Sequence, residues 1–218
     1  MIPVKILAVR YLANVSPGLA QSLGAPKGYP SLGLITTDCD DATYIALDEA
    51  TKASDVQVAY ARSFYAGASN ASTPNAGEVI GILAGPTPGA VRSGMEAAIS
   101  ALERIGFEDV GGVPCLAYTV ASAGSFLAKE AGIREGAALA YLIAPPLESM
   151  YALDAALKAA DVMLCKLYAP PSPTNFGGGL LTGTQSACSA ACAAFAAAVA
   201  EVANRPIEGF EGGKYGTR

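Results

Sequence analysis

Alternating and helical patterns of apolar residues predict a chain of short strands and helices. Apolar and polar positions alternate where one face of a strand is buried, and small or apolar residues recur every three or four positions in the helices between them. The predicted strands are 4–12, 32–36, 56–65, 78–84, 115–120, 139–144, 162–168 and 180–182. The predicted helices are 16–24, 42–54, 87–103, 125–131, 148–160 and 186–204.

One segment of this pattern occurs twice. Residues 45–56 (IALDEATKASDV) and residues 151–162 (YALDAALKAADV) share eight identities in twelve positions. Each half also has the same order of strand, helix, two strands and helix, which indicates an internal duplication. We therefore predict an α+β fold of two tandem ferredoxin-like (split βαβ) domains, 1–108 and 109–207, followed by a C-terminal tail, 208–218.

Composition narrows the possible partners and locations. Hydrophobic residues make up 52% of the chain and charged residues only 15%, so we expect an oligomer that covers much of this surface. The net charge of −5 without a basic cluster argues against nucleic acid. Apolar runs are too short for a membrane span, and the N-terminus lacks a signal-peptide pattern, so we expect a cytosolic protein. The five cysteines lie among apolar residues and are expected to be unpaired.

The absence of histidine limits the possible chemistry. Without histidine a Ser-His-Asp or Cys-His site is impossible, and we expect no enzyme. Asp38, Asp40 and Asp41 form the densest acidic patch and could bind a cation or a divalent metal. They also precede a predicted helix, so capping of its N-terminus is the alternative. Cys188 and Cys192 share an apolar helix face, which favours core packing over metal ligation.

Two equivalent loops, 63–75 and 169–179, are long and rich in Gly, Ser, Ala, Pro and Asn. Long loops within a compact domain usually carry function. Gly177, Gly178 and Gly179 are not followed by the Lys-Ser/Thr of a phosphate-binding loop, so we interpret them as flexible rather than nucleotide-binding.

Several of these motifs resemble one protein family. The Lys-Ala-x-Asp-Val endings at 52–56 and 158–162, with the Gly-Pro-Thr-Pro-Gly-Ala-Val turn at 85–91, resemble tandem bacterial microcompartment shell proteins. The strand that usually comes last in such a domain comes first here, as in the circularly permuted members. Longer motifs resemble the ethanolamine-utilisation type within this family: 31–35, 40–46, 48–52, 62–67, 140–148 and 181–188. The resemblance covers about residues 3–207.

The resemblance implies a non-enzymatic protein of the microcompartment shell in the bacterial cytoplasm. Such a protein is a homotrimer whose six domains form a pseudohexagonal tile, which contacts other shell proteins through its edges. Lys52 and Lys158 match the lysines expected at these edges. A gated central pore would admit substrates, products or cofactors, and the residues expected in its loops are Phe64, Tyr65, Phe176, Gly177, Gly178 and Gly179.

The same resemblance implies ethanolamine binding at a smaller pore within each subunit. Asp40, Glu78 and Phe107 match the binding positions, and carboxylates are suited to replace the water that an ammonium group loses in a narrow passage. No cofactor is required and no metal ligand is implied, but cobalamin is a further possible ligand of the central opening. The alternative is a trimeric small-molecule sensor of ferredoxin-like fold that does not form tiles.

Overall fold

The computed structural model describes residues 1–65, 75 and 77–207, and the tail 208–218 lies outside them. The first half contains β1 (Ile6–Leu12), α1 (Pro17–Ser22), β2 (Ser31–Thr37), α2 (Asp40–Ala53), β3 (Gln57–Ser63), β4 (Val79–Gly85) and α3 (Pro88–Leu102). The second half contains β5 (Glu108–Val110), β6 (Val113–Val120), α4 (Ser125–Ala131), β7 (Ala138–Ala144), α5 (Pro146–Ala159), β8 (Val162–Tyr168), β9 (Gly177–Gly183) and α6 (Gln185–Asn204).

Each half forms one antiparallel sheet covered by two long helices. The first sheet has the order β1-β2-β4-β3 and the second the order β5-β6-β7-β9-β8. In each half, the strands before and after the first long helix lie on either side of a third strand, which is the split βαβ arrangement. The predicted fold of two tandem ferredoxin-like domains is confirmed.

The junction between the halves contains a strand that the sequence pattern did not predict. Glu108–Val110 pairs with the start of β6 through a tight turn at Gly111 and Gly112, which have φ values of 67° and 84°. Because residues in this left-handed region are preferably glycine, the two glycines mark a hairpin and not an irregular linker. The second sheet therefore begins at Glu108.

Helix ends follow the local chemistry of the sequence in most cases. Thr87, followed by Pro88 at the first helical position, caps α3 by accepting a hydrogen bond from the amide of Ala90. Helix α2 begins two residues earlier than predicted, at Asp40, and its N-cap residue is Cys39 with no side-chain cap bond. None of the aspartates is thus the N-cap residue, although Asp40 Oδ1 accepts a 2.9 Å hydrogen bond from the amide of Asp41 in the first turn.

Helix α6 is long and apolar enough to cross a membrane, judged by length and composition alone. One side of it packs in the core of the second domain, where Cys188, Cys192 and Phe195 are buried. These contacts explain its composition, and they confirm that the two cysteines serve core packing. All five cysteines are free thiols.

The largest hydrophobic cluster joins the two domains. It contains Leu47 and Met95 from the first domain together with Leu116, Leu127 and Leu180 from the second. All five side chains are at most 1% exposed. Burial of this apolar surface is the main stabilising contribution to the contact between the domains.

Polar contacts fix the position of α2 against the start of α4. The carboxylate of Asp48, which is fully buried, accepts hydrogen bonds from the amides of Gly124 (2.7 Å) and Leu127 (2.8 Å). Thr51 Oγ1 accepts a third bond from the amide of Ser125 at 3.2 Å. Asp48 thus satisfies amides at a helix terminus of the other domain, where the helix dipole favours negative charge.

Gly177, Gly178 and Gly179 are buried strand residues of β9, so the prediction that they form a flexible loop is wrong. Gly178 has φ 155°, and a Cβ there would lie 1.8 Å from the carbonyl oxygen of Leu142 on β7. The close approach of β7 to β9 therefore requires a residue without a side chain. The loop before β9 ends at Phe176.

Candidate functional site

A cavity of ≈ 190 Å³ lies at the start of α2, between the two domains. We call it the acidic chamber, because its wall includes Asp38, Asp40, Asp41 and Glu78. The apolar part of the wall comes from Phe107, Phe176 and the first residues of the chain. Asp38 to Asp41 follow β2, Glu78 precedes β4, and Phe107 precedes β5, so the wall combines the ends of several elements.

All three residues predicted to bind ethanolamine line the acidic chamber. Asp40 is 6% exposed, and Glu78 is half-buried. The ring of Phe107 packs edge-on against that of Phe176, with centroids 5.5 Å apart. The fold thus brings together residues that are up to 67 positions apart in the sequence, and ethanolamine binding by them stays a prediction.

The acidic chamber favours a cation. Its described wall contains four carboxyl groups and no lysine or arginine. Burial raises the pKa of Glu78, and the charges of Asp40 and Asp38 raise it further. A positive ligand would relieve this repulsion between carboxylates, because opposite charge nearby favours their ionised form.

Asp41 holds a buried polar contact between the domains. Tyr141 Oη donates a 2.9 Å hydrogen bond to Asp41 Oδ1. Burial raises the pKa of Asp41 well above its ordinary value, and the neighbouring Asp40 charge adds to this, whereas the Tyr141 hydrogen bond lowers it. The carboxyl group of Asp41 therefore retains its proton more readily than an exposed carboxyl group does.

A second cavity of ≈ 220 Å³ lies beside the first. We call it the tyrosine chamber, because Tyr44, Tyr141 and Tyr168 form part of its wall. The sequence pattern did not point to these tyrosines, since they lie on three elements of two domains. Each of them lies at a position where the pattern of its own helix or strand predicts an ordinary core residue.

Two residues, Thr174 and Phe176, line both chambers together with Asp40 and Asp41. Phe176 was predicted to belong to a loop at the central pore, but its ring contacts Phe107 inside the subunit. This placement connects the segment before β9 directly with the candidate ligand site.

The other predicted pore-loop residues are only partly covered by the structure. Phe64 and Tyr65 are 38% and 65% exposed at the end of β3. Residues 66–74 of the predicted loop 63–75 lie outside the described residues. The role of Phe64 and Tyr65 at a pore stays a prediction.

The two equivalent lysines have different surroundings. Lys52 Nζ donates a 2.9 Å hydrogen bond to the carbonyl oxygen of Ser122 in the other domain, and it pairs with Glu49. Lys158 pairs with Asp154, and its side chain is 74% exposed. Lys158 is therefore available for contact with another molecule, whereas Lys52 takes part in the contact between the domains.

Metal ligation by the acidic patch finds no support in the local geometry. In the part of the chain that the structure describes, no group of three or more Cys, Asp or Glu side chains could hold a metal ion. Asp38 Oδ1 instead accepts a 2.7 Å hydrogen bond from the amide of Lys5.

Comparison with known proteins identifies the family. Residues 31–111 match the BMC domain. The chain is 59% identical to the bacterial microcompartment shell protein EutL of Clostridium perfringens, over 95% of this chain and 97% of the relative. It is 48% identical to EutL of Escherichia coli, again over 95% and 97%.

A solved structure agrees with these relatives. The crystal structure of the ethanolamine utilization protein EutL from Leptotrichia buccalis has 56% identity and a TM-score of 0.92, covering 95% of this chain and 97% of that one. Identity of this level over nearly the whole length extends from the sequence to the arrangement of both domains. The chain therefore belongs to the EutL family, and it is a structural protein of bacterial microcompartment shells and not an enzyme.

Proposed function

We propose that the protein is a homotrimeric, pseudohexagonal shell tile that binds ethanolamine in the acidic chamber and surrounds a gated central pore. The main support for this assembly is a difference in exposure between equivalent surfaces of the two domains. Inside the chain, α2 of the first domain covers α4 of the second. The equivalents of these two surfaces are uncovered in a single chain.

The first uncovered surface is the α5 face, equivalent to the face of α2 that meets α4. Asp48 of α2 has a fully buried side chain, but the equivalent Asp154 of α5 is 64% exposed. Asp41 is 8% exposed, and its equivalent, Leu147, is 65% exposed. Tyr151, one turn further along α5, is 43% exposed, and neighbouring exposed apolar residues are expected where a second molecule covers them.

The second uncovered surface is the α1 face, equivalent to the surface of α4. Strand pairing sets the equivalence, since Leu12 pairs with Leu32 and Val120 with Leu139. Val120 is 1% exposed, whereas Leu12 is 39% exposed. On the helices themselves, Leu127 is 1% exposed and its equivalent Leu19 is 46% exposed.

The two uncovered faces are complementary, because each corresponds to one side of the contact inside the chain. The α5 face of one copy would meet the α1 face of the next in the manner of α2 on α4. Contacts of this head-to-tail kind close into a ring when the rotation permits. Three chains would then place six similar domains around one axis.

Ethanolamine is the proposed ligand because the acidic chamber joins carboxylates to an aromatic wall. Its ammonium group would exchange water for charge-assisted hydrogen bonds to Asp40 and Glu78, next to the ring of Phe107. The name of the Leptotrichia relative, an ethanolamine utilization protein, agrees with this ligand.

The central pore is proposed to lie where the segments after β3 and before β9 of three copies meet. Exposure of Phe64 and Tyr65 supports this position for the first segment. Phe176 ends the second segment and lines the acidic chamber, so a ligand there would favour one conformation of that segment. Cobalamin remains a proposed ligand of the central opening.

The assembly is tested by light scattering or native mass spectrometry of the purified protein. We expect three times the chain mass of 21.9 kDa for the wild type. Leu19→Asp and Leu147→Asp should each give monomers with an unchanged circular dichroism spectrum, because both residues are exposed in a single chain. Glu96→Lys, an exposed change on α3, serves as the control and should stay trimeric. A monomeric wild type would refute the proposed assembly.

Electron microscopy separates a tile from the alternative sensor. Trimers that tile should form sheets or tubes at high protein concentration. A sensor would remain as separate trimers under the same conditions.

Ligand binding is tested by calorimetric titration with ethanolamine. Asp40→Asn and Glu78→Gln should each weaken binding about tenfold, the effect expected for removal of one charge from an ionic hydrogen bond. Glu96→Gln again provides the control. Equal affinity in wild type and both variants would remove the acidic chamber from the proposal and leave the shell assignment in place.

A further inference from the structure

Helices α1 and α4 are the same motif in the two domains. The amide of Ala20 donates a 3.0 Å hydrogen bond to the carbonyl oxygen of Ser16, and the amide of Ala128 donates the equivalent 3.1 Å bond to Gly124. A glycine with positive φ, 75° in one domain and 66° in the other, ends each motif. Residues of the two helices, and of the turns before them, can therefore be matched one by one.

Helices α2 and α5 match in the same way. They begin at Asp40 and Pro146, and the strands that follow them, β3 and β8, carry a bulge at the same point. Lys52 therefore corresponds to Lys158. The contact of α2 with α4 inside the chain thus predicts, residue by residue, how α5 of one copy would meet α1 of the next.

One polar pair of the internal contact has lost both of its members in the second contact. Thr51 Oγ1 accepts a 3.2 Å hydrogen bond from the amide of Ser125. The residues at the equivalent positions are Leu157, which has no side-chain acceptor, and Pro17, which has no amide hydrogen. Loss of both partners of a hydrogen bond costs little, whereas loss of one leaves the other unpaired. The two replacements are therefore compatible with each other.

A second polar pair changes in the same way. Asp41 accepts the 2.9 Å hydrogen bond of Tyr141 inside the chain. Its equivalent on α5 is Leu147, and the equivalent of Tyr141 on β2 is Leu34, which is half-buried. Two pairs on different elements thus become apolar together. This is the pattern expected when the members of each pair lie opposite one another in a second contact.

A third pair keeps its polar character. Lys52 Nζ donates a 2.9 Å hydrogen bond to the carbonyl oxygen of Ser122. Lysine is retained at the equivalent position, Lys158, and its side chain is exposed. The residue equivalent to Ser122 is Asn14, which is also exposed and supplies a backbone carbonyl oxygen as any residue does. The hydrogen bond of the internal contact can therefore form again between two copies.

One difference sets the spacing of the second contact. Gly124 has no side chain, and a Cβ there would lie 2.4 Å from Thr51 Oγ1. Its equivalent, Ser16, has a side chain, so α1 cannot approach α5 as closely as α4 approaches α2. A long lysine side chain spans the wider gap. The hydroxyl group of Ser16, which makes no cap bond to α1, is available as a donor to the exposed carboxylate of Asp154.

We propose that α5 of one copy binds the α1 face of the next through defined residue pairs. These are Lys158 with the carbonyl oxygen of Asn14, Asp154 with the hydroxyl group of Ser16, Leu157 with Pro17, and Leu147 with Leu34. The proposal rests on the proposed function, because it assumes the head-to-tail contact between copies. It also places Lys158 between two copies of one trimer, whereas the family resemblance implies a position at the edge between tiles.

The same pairs prevent the wrong faces from meeting. The face of α2 on the α1 face of another copy would bury Asp41 against Leu34, without the hydroxyl group of Tyr141. The α5 face on α4 would set Leu157 against the amide of Ser125 and leave that amide unpaired. Each mismatch desolvates a polar group without a hydrogen bond, so the internal contact and the contact between copies are not interchangeable.

Disulfide formation in the double variant Leu157→Cys/Pro17→Cys tests the pairing, because two cysteines join only when their Cα atoms lie within about 7 Å. After incubation with oxidised glutathione, we expect cross-linked chains of two and three times the chain mass of 21.9 kDa on a non-reducing gel. Each single variant should remain at one chain mass, which controls for the native cysteines. Leu157→Cys/Glu96→Cys is the matched control and should not cross-link.

Lys158→Ala provides a measurement that does not depend on new cysteines. It should raise the dissociation constant of the trimer about tenfold, because each contact loses a hydrogen bond from a charged donor. The same change in the other repeat, Lys52→Ala, removes a bond inside the chain and should leave the dissociation constant unchanged. Sedimentation over a dilution series measures both variants, and circular dichroism checks that each is folded.

The outcomes separate these pairs from the trimer itself. A trimeric wild type would overturn the pairs, and leave the proposed function in place, if two results were found together. The first is that Leu157→Cys/Pro17→Cys cross-links no more than its control, and the second is that Lys158→Ala dissociates as Lys52→Ala does. A wild type that is monomeric at every concentration would overturn both the trimer and the pairs.

Discussion

Tyr141 and Asp41, which are 100 residues apart in the chain, share a 2.9 Å hydrogen bond inside the contact between the two domains. Both side chains are buried, at 1% and 8% exposure. The bond satisfies one oxygen of a carboxyl group that burial has made costly to ionise. Asp41 lines both chambers, and its ionisation affects the stability of the domain contact.

Asp41→Asn should stabilise the protein at neutral pH. The amide oxygen can still accept the hydrogen bond of Tyr141, but the buried group no longer ionises. The folded-state pKa of Asp41 lies above its ordinary value of 3.8. The contribution of Asp41 to the free energy of unfolding is therefore fully present below about pH 4, and it is lost as the pH rises towards the folded-state pKa. We expect the melting temperature to rise by about 2–4 °C at pH 8, equivalent to about 1 kcal/mol, and to change little at pH 4.

The comparison variant for this prediction is Asp161→Asn. Asp161 lies directly before β8 and is exposed, so its neutralisation should change the melting temperature equally little at both pH values. A lower melting temperature of Asp41→Asn at pH 8 would show that the ionised carboxylate stabilises the contact with Tyr141.

Asp48→Ala should destabilise the folded chain by about 3 kcal/mol, because the buried amides of Gly124 and Leu127 lose their acceptor. Urea unfolding at pH 7 measures this loss as a lower midpoint. Glu96→Ala, an exposed change on α3, is expected to stay within about 0.5 kcal/mol of the wild type. A midpoint for Asp48→Ala equal to that of Glu96→Ala would contradict the assigned role of the carboxylate.

Gly178→Ala should prevent β9 from pairing normally with β7. Its Cβ would lie 1.8 Å from the carbonyl oxygen of Leu142, and backbone atoms cannot give way as a flexible side chain can. We expect a loss of about 3 kcal/mol or more in urea unfolding. Gly89→Ala on α3, whose Cβ has no neighbour closer than 3.8 Å, should be neutral or slightly stabilising. If Gly178→Ala behaved like Gly89→Ala, the close approach of β7 to β9 would not restrict this position.

Ethanolamine affinity should fall as the pH is lowered from 7 to 5. Burial and neighbouring charges raise the pKa of Glu78, so this carboxyl group takes up a proton at a higher pH than an ordinary glutamate does and then no longer attracts the ammonium group. The ammonium group itself stays charged over this range, as primary amines do. Titration calorimetry of wild type and Glu78→Gln measures the effect, and the variant should show a smaller change with pH. An identical pH dependence in both forms would assign the titration to another group.

Local sequence patterns were sufficient to predict features that depend only on neighbouring residues. Thr87 and Pro88 predict the start of α3 because a cap and a fixed φ angle act within one turn. The strand pattern failed at Gly177 to Gly179, because glycine is common both in loops and in tightly approached strands. Only the facing carbonyl of Leu142 decides between these two environments.

In the candidate site, too, some residues could be predicted from the sequence and others could not. Asp40, Glu78 and Phe107 could be predicted from the resemblance to a known family, and the fold places them around one cavity. Asp41 and Tyr141 could not be paired from the sequence, since a tyrosine in a buried strand and an aspartate at a helix start are each ordinary. Their contact exists only because the second domain packs against the first.

The sequence by itself determined that one fold occurs twice, because residue spacing within each half dictates which faces are apolar and where helices begin. Tertiary structure alone decided that equivalent residues of the two copies have different surroundings and roles. Asp48 became a buried acceptor for another helix while Asp154, its repeat, stayed exposed. The physical reason is that burial depends on what lies opposite a residue in space, and identical segments acquire different neighbours once the domains pack together.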